Sequence, residues 1–576
     1  MRPQLRRRLA GGLTVLILGA SSAIVGVAVS PPASATDNGL SIRPAMGWSS
    51  WSFVRRWPTA EKIRAQALAM RDSGLAARGF TYVNLDDFYQ LCDANGYVVD
   101  GFGRWVVDQT KFPGGIKPLA DYVHSLGLKF GFYVTPGIPE NAVRLNTPIE
   151  GTPYRARDIA DTTRTERSYN CKHMYYIDYS KPGAQAYVDS WARQMASWGV
   201  DYLKIDGVGS HDIPDVEAWA TALRRSGRPI NYALSNNLSI ADAATWRRLA
   251  NSWRTQGDVE CYCGSGPNGS GYPLTDWAHI TSRFTSAANW QPWAGPGGWN
   301  DLDSLEIGNG DRVGLTADQR RSHFTLWAMA ATPLLLGTDL TALDPVDMAM
   351  LNNTRLIAVN QDGVAARRIV NDGTRQVFSK RESDGSYVVA LFNTATSGSQ
   401  TVSVSWSQVG FSGSAAVTDL WSGRSQGTIA NSYSATLRPG ETRLIRAVPG
   451  TGGGSTVEAE SGTLAGAARL ASCAACSGGV KVGFIGNGSG NHVTIGGVVP
   501  SAAGSRQLTI TYLLSGSRSF FVSVNGGAGI QVPLTGTSWS VPATATITVS
   551  LNAGANTIRF YNNTAYAPDL DRISVN

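Results

Sequence analysis

A lysine and a carboxylate stand two positions apart in the stretch DYLKIDGVG, where Lys204 precedes Asp206. The run YLKI has the composition of a buried strand, and side chains two residues apart on a strand point to the same face of its sheet. The positive charge of Lys204 would therefore favour the ionised form of Asp206. An ionised carboxylate at the end of a strand is suited to act as a nucleophile.

A second carboxylate follows the run NSWRTQG, in which Arg254 precedes Asp258 by four residues. Hydrolysis of a glycosidic bond requires two carboxyl groups that flank the scissile bond, one as nucleophile or base and the other as proton donor. We predict that Asp206 and Asp258 form this pair. A retaining mechanism would place their carboxyl groups about 5 to 5.5 Å apart. Arg254 would hold either the carboxylate of Asp258 or the departing sugar.

These residues lie in a region, from about residue 40 to 345, in which strand-like runs alternate with helical stretches. The runs are AMGWSSW, TYVNLDD, LKFGFYVTPG, DYLKIDG, INYALS, NSWRTQGD, GGWNDLD and PLLLGTDL. Stretches such as PGAQAYVDSWARQMASWG separate several of them and carry apolar residues at helical spacing. This pattern predicts a closed (β/α)8 barrel, which is an α/β fold. An open doubly wound sheet is the alternative, but no G-x-G-x-x-G turn follows an early strand.

In such a barrel the carboxyl ends of the strands converge on one open face. The polar and aromatic residues predicted to lie there are Trp48, Trp51, Asp86, Asp87, Tyr133, Lys204, Asp206, Ser235, Arg254, Asp258, Asp301 and Asp303. A single Asp at such a boundary is often only a helix cap or a turn former. Carboxylates at so many strand ends, with aromatic residues beside them, instead favour a sugar-processing pocket.

The composition of the chain changes after the barrel region. Strand-like runs such as SYVVALFN and TVSVSW are separated by turns rich in Gly, Ser, Asn and Asp, which is typical of antiparallel sheets. We predict a barrel domain over 36–350, an antiparallel β-sandwich over 351–448, a Gly-rich linker over 449–456 and a second, jelly-roll β-sandwich over 457–576.

Residues 1–35 combine four arginines, the apolar run LTVLILGASSAIVGVAV and a terminal ASA. This order is typical of a secretory signal peptide, with a lone membrane anchor as the alternative. We therefore predict a secreted, extracellular protein that has no membrane contact after cleavage. Without those arginines the formal charge falls from +7 to +3 and no basic run remains. This excludes nucleic acid as the expected partner and favours an oligo- or polysaccharide.

Export also permits disulfide bonds. The six cysteines are Cys92, Cys171, Cys261, Cys263, Cys473 and Cys476, which allow up to three bridges whose pairing the sequence leaves open. CAAC, at Cys473 to Cys476, is predicted to form a local structural bridge rather than a redox or zinc half-site, because no second C-x-x-C exists. The six histidines show no metal-ligand spacing and receive no role.

The motifs PAMGWSSW, LDDFY, YLKIDG, SWRTQGD, GPGGWNDLD, LWAMAATPLLLGTDL and IAVNQD, within about 43–362, resemble melibiase-type glycoside hydrolase family twenty-seven, the α-galactosidases and α-N-acetylgalactosaminidases. The resemblance implies a barrel followed by a β-sandwich and a retaining double displacement without a catalytic cofactor. It implies Asp206 as nucleophile and Asp258 as acid/base. The sugar contacts that it implies are Trp51, Asp86, Asp87, Tyr133, Lys204, Arg254 and Asp303.

The sequence departs from this family in places that bear on the substrate. SNNLS replaces the usual Cys-Glu-Trp, which puts Asn237, or Asn236, opposite the sugar 2-hydroxyl. Val208 stands where many members have a cysteine, so the usual pocket disulfide must be absent or replaced. The long segment 138–180 would lie on the active face and form further subsites.

The substrate predicted from the resemblance is a terminal α-D-galactosyl residue. The alternatives are two other specificities of the family, β-L-arabinopyranosidase and isomalto-dextranase, and more distantly a carbohydrate-binding protein that has lost catalysis. Residues 457–576 resemble a carbohydrate-binding module. That resemblance implies a structural calcium site at Glu458, Glu460 and Asp571, with Trp539 and Tyr566 as candidates for stacking on sugar.

Overall fold

The structure is a computed structural model that describes residues 38–450, 455–500 and 503–575. The predicted signal peptide, and residues 451–454 of the predicted linker, lie outside these ranges. None of the helices in the described ranges combines the length and the apolar character needed to span a membrane.

A parallel sheet of eight strands forms the first part of the chain. The strands are β1 Met46–Ser49, β2 Tyr82–Asn84, β3 Lys129–Val134, β4 Tyr202–Ile205, β5 Asn231–Leu234, β6 Ser252–Arg254, β7 Trp299–Asp301 and β8 Leu334–Leu336. They pair in chain order from β1 to β7, and β8 returns to pair with β1. A parallel bridge between Leu305 and Leu336 joins the chain after β7 to β8 and closes the curl. This confirms the eight predicted strands and excludes the open doubly wound sheet.

Helices surround this sheet on the outside. The longer ones are Ala60–Asp72, Lys117–Ser125, Ala184–Trp198, Ile213–Arg225, Ala243–Leu249, Trp277–Trp290, Ala317–Met329, Pro345–Leu351 and Thr354–Gln361; the short ones are Trp51–Val54, Glu140–Leu145 and Ala156–Ile159. A further short helix, Trp406–Val409, belongs to the sandwich that follows the barrel. In Ala184–Trp198 the residues at helical spacing are buried, among them Tyr187, Trp191 and Met195. Gly199, at φ 86°, ends this helix in the left-handed conformation that glycine adopts most readily.

An antiparallel β-sandwich follows the barrel. Its six-stranded sheet has the order Arg367–Asp372, Arg375–Arg381, Tyr387–Asn393, Thr442–Pro449, Ser414–Asp419 and Ser425–Ala430, and its two-stranded sheet pairs Gln400–Ser405 with Ser432–Leu437. Tyr387–Asn393 is buried along its whole length. Alternate residues such as Phe392 join the barrel core, where its ring lies 4.9 Å from that of Phe284, and residues such as Leu391 join the core of the sandwich. The two units therefore share a packed interface.

The end of the chain is a further antiparallel β unit with its own core. Its strands are Ser455–Glu458, Thr463–Ala465, Arg469–Ser472, Val480–Gly483, His492–Val498, Gly504–Val524, Ile530–Leu551, Asn556–Tyr561 and Asp569–Val575. Gly504–Val524 pairs first with Asp569–Val575 and, beyond a register shift, with Asn556–Tyr561. The β character matches the sequence prediction, while the carbohydrate-binding role stays a prediction.

The long segment after β3 forms a small structure of its own. Three short antiparallel strands, Ile138–Pro139, Ala160–Glu166 and Met174–Ile177, make a sheet at this position. A disulfide between Cys92 and Cys171 ties this segment to the chain after β2. Cys92 belongs to the two-residue strand Cys92–Asp93, which pairs with Gly96–Tyr97. The other disulfides join Cys261 to Cys263 and Cys473 to Cys476, so the local bridge predicted for CAAC is confirmed.

Candidate active site

Lys204 joins two carboxylates at the end of β4. Its Nζ lies 2.8 Å from Oδ2 of Asp86 and 3.8 Å from Oδ2 of Asp206. Burial alone would lower the pKa of Lys204, but the negative charges of Asp86 and Asp206 outweigh burial and raise it. The lysine therefore remains a cation between the predicted nucleophile and a predicted sugar contact.

The backbone fixes Asp206 in place. Its N–H donates to the carbonyl of Val134 at 2.9 Å, and the N–H of Gly207 donates to its Oδ1 at 2.8 Å. Gly207 has φ 81°, and a Cβ at this position would lie 3.1 Å from Cβ of Arg167 and 3.5 Å from the hydroxyl of Tyr169. The turn after the strand therefore requires glycine, because both conformation and space exclude a larger residue.

Arg254 holds the second predicted catalytic carboxylate. Its Nη2 lies 3.0 Å from Oδ1 of Asp258 and 2.9 Å from Oδ2 of Asp303. The arginine is buried, whereas Asp258 is partly exposed at the mouth of the barrel. Of the two roles considered for Arg254, the structure displays the contact with Asp258.

Tyr262 is a member of this site that the sequence reasoning missed. Its hydroxyl donates to Oδ2 of Asp258 and accepts from Nε1 of Trp51 at 3.0 Å. The residue has φ 50° and stands between Cys261 and Cys263, which are joined by a disulfide. The small disulfide loop therefore presents Tyr262 to Asp258, and the motif CYC is the only sequence signal for it.

These contacts set the protonation of Asp258. Burial raises its pKa, but Arg254, the hydroxyl of Tyr262 and the charge of Lys204 together lower it below the ordinary value. These contacts therefore favour the carboxylate form of Asp258.

The Tyr262→Phe variant is expected to raise the pKa of Asp258, because it removes a hydrogen bond that favours the charged form. If protonated Asp258 is the acid, activity falls as pH rises through its pKa, so the basic limb of the kcat/KM profile moves to higher pH. The measurement is kcat/KM against pH, with Tyr122→Phe on an outer helix as control. An unchanged basic limb would show that Tyr262 does not act on the titrating group.

Asp87 and Tyr133 are buried behind Asp86 and Lys204. Burial raises the pKa of Asp87 to about 7. Within the described part of the chain, Oδ2 of Asp87 and the hydroxyl of Tyr133 have no hydrogen-bond partner. Buried polar atoms without partners are costly, so these two atoms are suited to receive hydroxyl groups of a ligand.

A cavity opens at this end of the barrel. Its lining includes Ser49, Trp51, Asn84, Asp86, Tyr202, Lys204, Ser235, Arg254, Asp301, Asp303 and Ser304. Asp206 and Asp258 are held at this lining by Lys204 and Arg254. Asn237 is exposed and does not line the cavity, and the residue before it in this loop, Asn236, has φ 133°. Ser235 is the residue of that loop that lines the cavity.

Two glutamates beneath Asp258 also escaped the sequence reasoning. Glu260 and Glu306 are almost fully buried, and Glu260 accepts a hydrogen bond from the hydroxyl of Ser52. Burial raises the pKa of Glu260 well above its ordinary value and that of Glu306 to about 8. One carboxylate oxygen each of Asp258, Glu260 and Asp303 lies within 4.8 Å of the other two. If Glu260 and Glu306 are protonated, they add no negative charge beside Asp258 and Asp303.

The segment after β3 contributes Tyr169 to the site. The hydroxyl of Tyr169 lies beside Gly207, 3.5 Å from the place that a Cβ on Gly207 would take. Burial, then the negative charges of Asp206 and Asp258, raise the pKa of Tyr169 to about 12. The position of Tyr169 agrees with the prediction that this segment lies on the active face.

The carboxylates predicted to bind calcium meet an arginine of the β-sandwich. Nη1 of Arg367 lies 3.1 Å from Oε1 of Glu460, and its Nη2 lies 3.9 Å from Oε1 of Glu458. Asp571 accepts from the N–H of Ser477 at 3.0 Å. Oε2 of Glu458 and Oε2 of Glu460 are buried without a partner among the described residues. The free oxygens fit a hard cation, although Arg367 already supplies positive charge.

The sequence matches family models along the barrel and the first sandwich. The model described as Alpha galactosidase A matches residues 44–143 and 173–362, and the one described as Alpha galactosidase C-terminal beta sandwich domain matches 372–447. Residues 144–172, which hold most of the segment after β3, fall in the gap between the matched ranges.

Relatives and solved structures agree with these matches. An α-galactosidase of Cyamopsis tetragonoloba is 35% identical over 409 residues, which are 70% of this chain and 85% of that protein. Alpha-galactosidase A of Cellvibrio japonicus is 32% identical over 66% of this chain and 83% of that protein.

The similar structures include a GH27 β-L-arabinopyranosidase of Geobacillus stearothermophilus, with 30% identity, a TM-score of 0.65, and 73% of this chain and 98% of that chain covered. α-Galactosidase I of Mortierella vinacea is 29% identical with a TM-score of 0.57, and the match covers 71% of this chain and 98% of that chain. The barrel with its carboxylate-lined mouth, the sandwich behind it and these matches together show that the chain is a glycoside hydrolase of the melibiase-type family 27.

Proposed function

We propose that the protein removes terminal α-D-galactosyl residues from oligo- or polysaccharides with retention of configuration, with Asp206 as nucleophile and Asp258 as acid/base. The observation that carries this proposal is that each of these carboxylates lies beside a basic side chain at the barrel mouth. Lys204 lies 3.8 Å from Asp206, and Arg254 lies 3.0 Å from Asp258.

In this proposal the reaction takes two steps. A carboxylate oxygen of Asp206 forms a bond to the anomeric carbon while the bond to the leaving oxygen breaks, and protonated Asp258 gives its proton to that oxygen. Asp258 then takes a proton from water, whose oxygen attacks the anomeric carbon and releases Asp206. Because the partly exposed Lys204 and the buried Arg254 are both hydrogen-bonded to acids, both charges are fixed before substrate binds.

The substrate assignment rests on the acids beside Lys204. Asp86 and Asp87 are adjacent and buried, and they offer acceptors to the 4- and 6-hydroxyls of a galactosyl group. A second candidate is a terminal β-L-arabinopyranosyl residue, which has the same ring hydroxyls as α-galactose but no hydroxymethyl group. The structural similarity to an arabinopyranosidase, at a TM-score of 0.65, favours keeping this candidate.

A comparison of nitrophenyl α-D-galactopyranoside with nitrophenyl β-L-arabinopyranoside tests the assignment. We expect kcat/KM to favour the galactoside by about tenfold or more, since a pocket that contacts the hydroxymethyl group gains affinity from it. A preference for the arabinoside would transfer the function to the second candidate. Dextran is included in the same series, because release of isomaltose alone would contradict both.

We further propose that the protein is secreted and that residues 457–576 bind carbohydrate. Three disulfides in the described chain are consistent with an oxidising compartment. Trp539 and Tyr566 lie on the same surface, since the guanidinium of Arg518 is 4.7 Å from the first ring and 6.0 Å from the second. Such an aromatic pair supports a surface on which sugar rings stack.

The calcium proposal for Glu458, Glu460 and Asp571 leads to a stability prediction. Calcium added to the chelator-treated full chain is expected to raise Tm by about 2–4 °C, because an ion that binds only the folded form stabilises it. Glu460→Gln should remove this rise. An unchanged Tm in the original protein would mean that Arg367 alone neutralises these acids.

A further inference from the structure

Three buried carboxyl groups lie together behind the loop that carries Asp206. Glu166, Asp212 and Asp215 are at most 7% exposed. Among the described residues none of them forms an ion pair with a lysine or an arginine, and the exposed His211 is the only basic partner, 3.2 Å from Oδ2 of Asp212. Buried carboxylates without a cation are unstable, so this cluster requires protons or a bound cation.

The hydrogen bonds leave part of this cluster unsatisfied. Asp215 accepts from Tyr179 and from the N–H of Gly137, and Oδ2 of Asp212 accepts from the N–H of Gly209. In contrast, Oδ1 of Asp212 and Oε2 of Glu166 are buried and have no partner in the part of the chain that the structure describes. Two buried acceptors are thus available to a ligand at one place.

One donor atom each of Glu166, His211 and Asp212 lies within 4.8 Å of the other two. One imidazole and two carboxylates form a typical donor set for zinc, whereas calcium prefers oxygen donors alone. The side chain of His211 is 46% exposed, so it is free to approach an ion between the two fixed acids. Its ring lies 5.7 Å from that of Tyr176, which keeps it on this side of the cluster.

We infer that Glu166, His211 and Asp212 bind a divalent transition metal ion, zinc in the first place, with water completing its coordination. The ion would join the strand Ala160–Glu166 of the segment after β3 to the loop after β4, in which His211 and Asp212 follow Asp206. Glu166 belongs to 144–172, which the family model does not match, so the family does not imply this site. The role is one of positioning, because the ion would fix the segment that carries Tyr169 against the nucleophile loop.

Zinc titration of the full chain tests the site. The protein is freed of metal with a chelator and then titrated with zinc in a calorimeter. Excess calcium is present throughout, because it saturates any site made of carboxylates alone. The variants are His211→Ala, whose exposed side chain the fold does not need, and Glu166→Gln, which keeps the side-chain volume. His279→Ala is the matched control, because His279 is also partly exposed and paired with an aspartate, Asp276, at 2.8 Å.

We expect one zinc ion to bind the original protein and the His279→Ala variant alike. His211→Ala and Glu166→Gln should each weaken this binding by at least about tenfold, since each loses a direct ligand. Cobalt, used as a spectroscopic probe, should show a visible absorption band that both variants lose. No zinc binding, or binding that His211→Ala leaves unchanged, would overturn the inference and show that the acids share protons instead. Neither readout depends on glycoside hydrolysis, so failure here is distinct from failure of the proposed function.

Discussion

Replacement of Asp206 by alanine is expected to lower kcat/KM on nitrophenyl α-galactoside by at least about 10⁴-fold, the order of loss seen when a catalytic nucleophile is removed. The reason is the position of its carboxylate, which lies beside Lys204 and is held by the N–H of Gly207. Water entering the space of the lost side chain lacks both the charge and the fixed orientation. The fold should survive, because the side chain is at the surface of the cavity rather than in the core.

Rescue by azide makes this experiment specific to the nucleophile. Azide fits the space vacated by the carboxylate and would attack the anomeric carbon from the same face, so the Asp206→Ala variant should form the β-galactosyl azide. Asp121→Ala, which removes an exposed carboxylate paired with Lys117, serves as a control and should keep full activity. Full activity in Asp206→Ala, or in Asp206→Asn, would assign the nucleophile to another residue.

Replacement of Asp258 by alanine should produce a loss that depends on the leaving group. With a sugar as leaving group the expected loss in kcat/KM is about 10²–10⁴-fold, the usual range for a general acid. With nitrophenol it should be much smaller, because nitrophenolate departs without a proton. The two substrates are therefore compared at one pH in parent and variant.

The second step distinguishes Asp258 from a residue that only binds sugar. Without a general base the glycosyl-enzyme forms faster than water removes it, so a burst of nitrophenol should precede slow turnover. Azide needs no base and should speed turnover, giving the α-galactosyl azide with retained configuration. An equal loss on both leaving groups, without a burst, would place Asp258 among the binding residues.

The sequence was sufficient for the barrel because each strand carries its own pattern. Runs such as YLKI and YVN are short, rich in apolar residues and followed by an acid within two residues, and the eight predicted runs occupy the positions of the eight strands. The pairing of Lys204 with Asp206 could also be read locally, since two residues on one strand share a face.

Contacts between distant segments could not be read in the same way. Glu166 and Asp212 are 46 positions apart in the sequence, and His211 has no metal-ligand spacing along the chain, so only the fold reveals the cluster. Tyr262 reaches Asp258 because of the conformation of a small disulfide loop. The role predicted for Asn237, or Asn236, stays a prediction; Asn236 has a φ of 133°, and sequence pattern contains no information on that angle.

The bridge between Cys92 and Cys171 closes a loop with a sequence separation of 79 residues, which in a chain-entropy account destabilises the unfolded state by about 4.5 kcal/mol. That loop contains the helix Lys117–Ser125, the strand β3 and the part of the following segment that brings Tyr169 to the barrel mouth. Formation of the Cys92–Cys171 disulfide therefore fixes the part of the site that Tyr169 lines. Asp206 and Asp258 follow barrel strands outside that loop. A Cys171→Ser variant, which loses this bridge but keeps the Cys261–Cys263 loop that presents Tyr262 to Asp258, would keep its chemistry on small aryl glycosides and lose selectivity among longer sugars first.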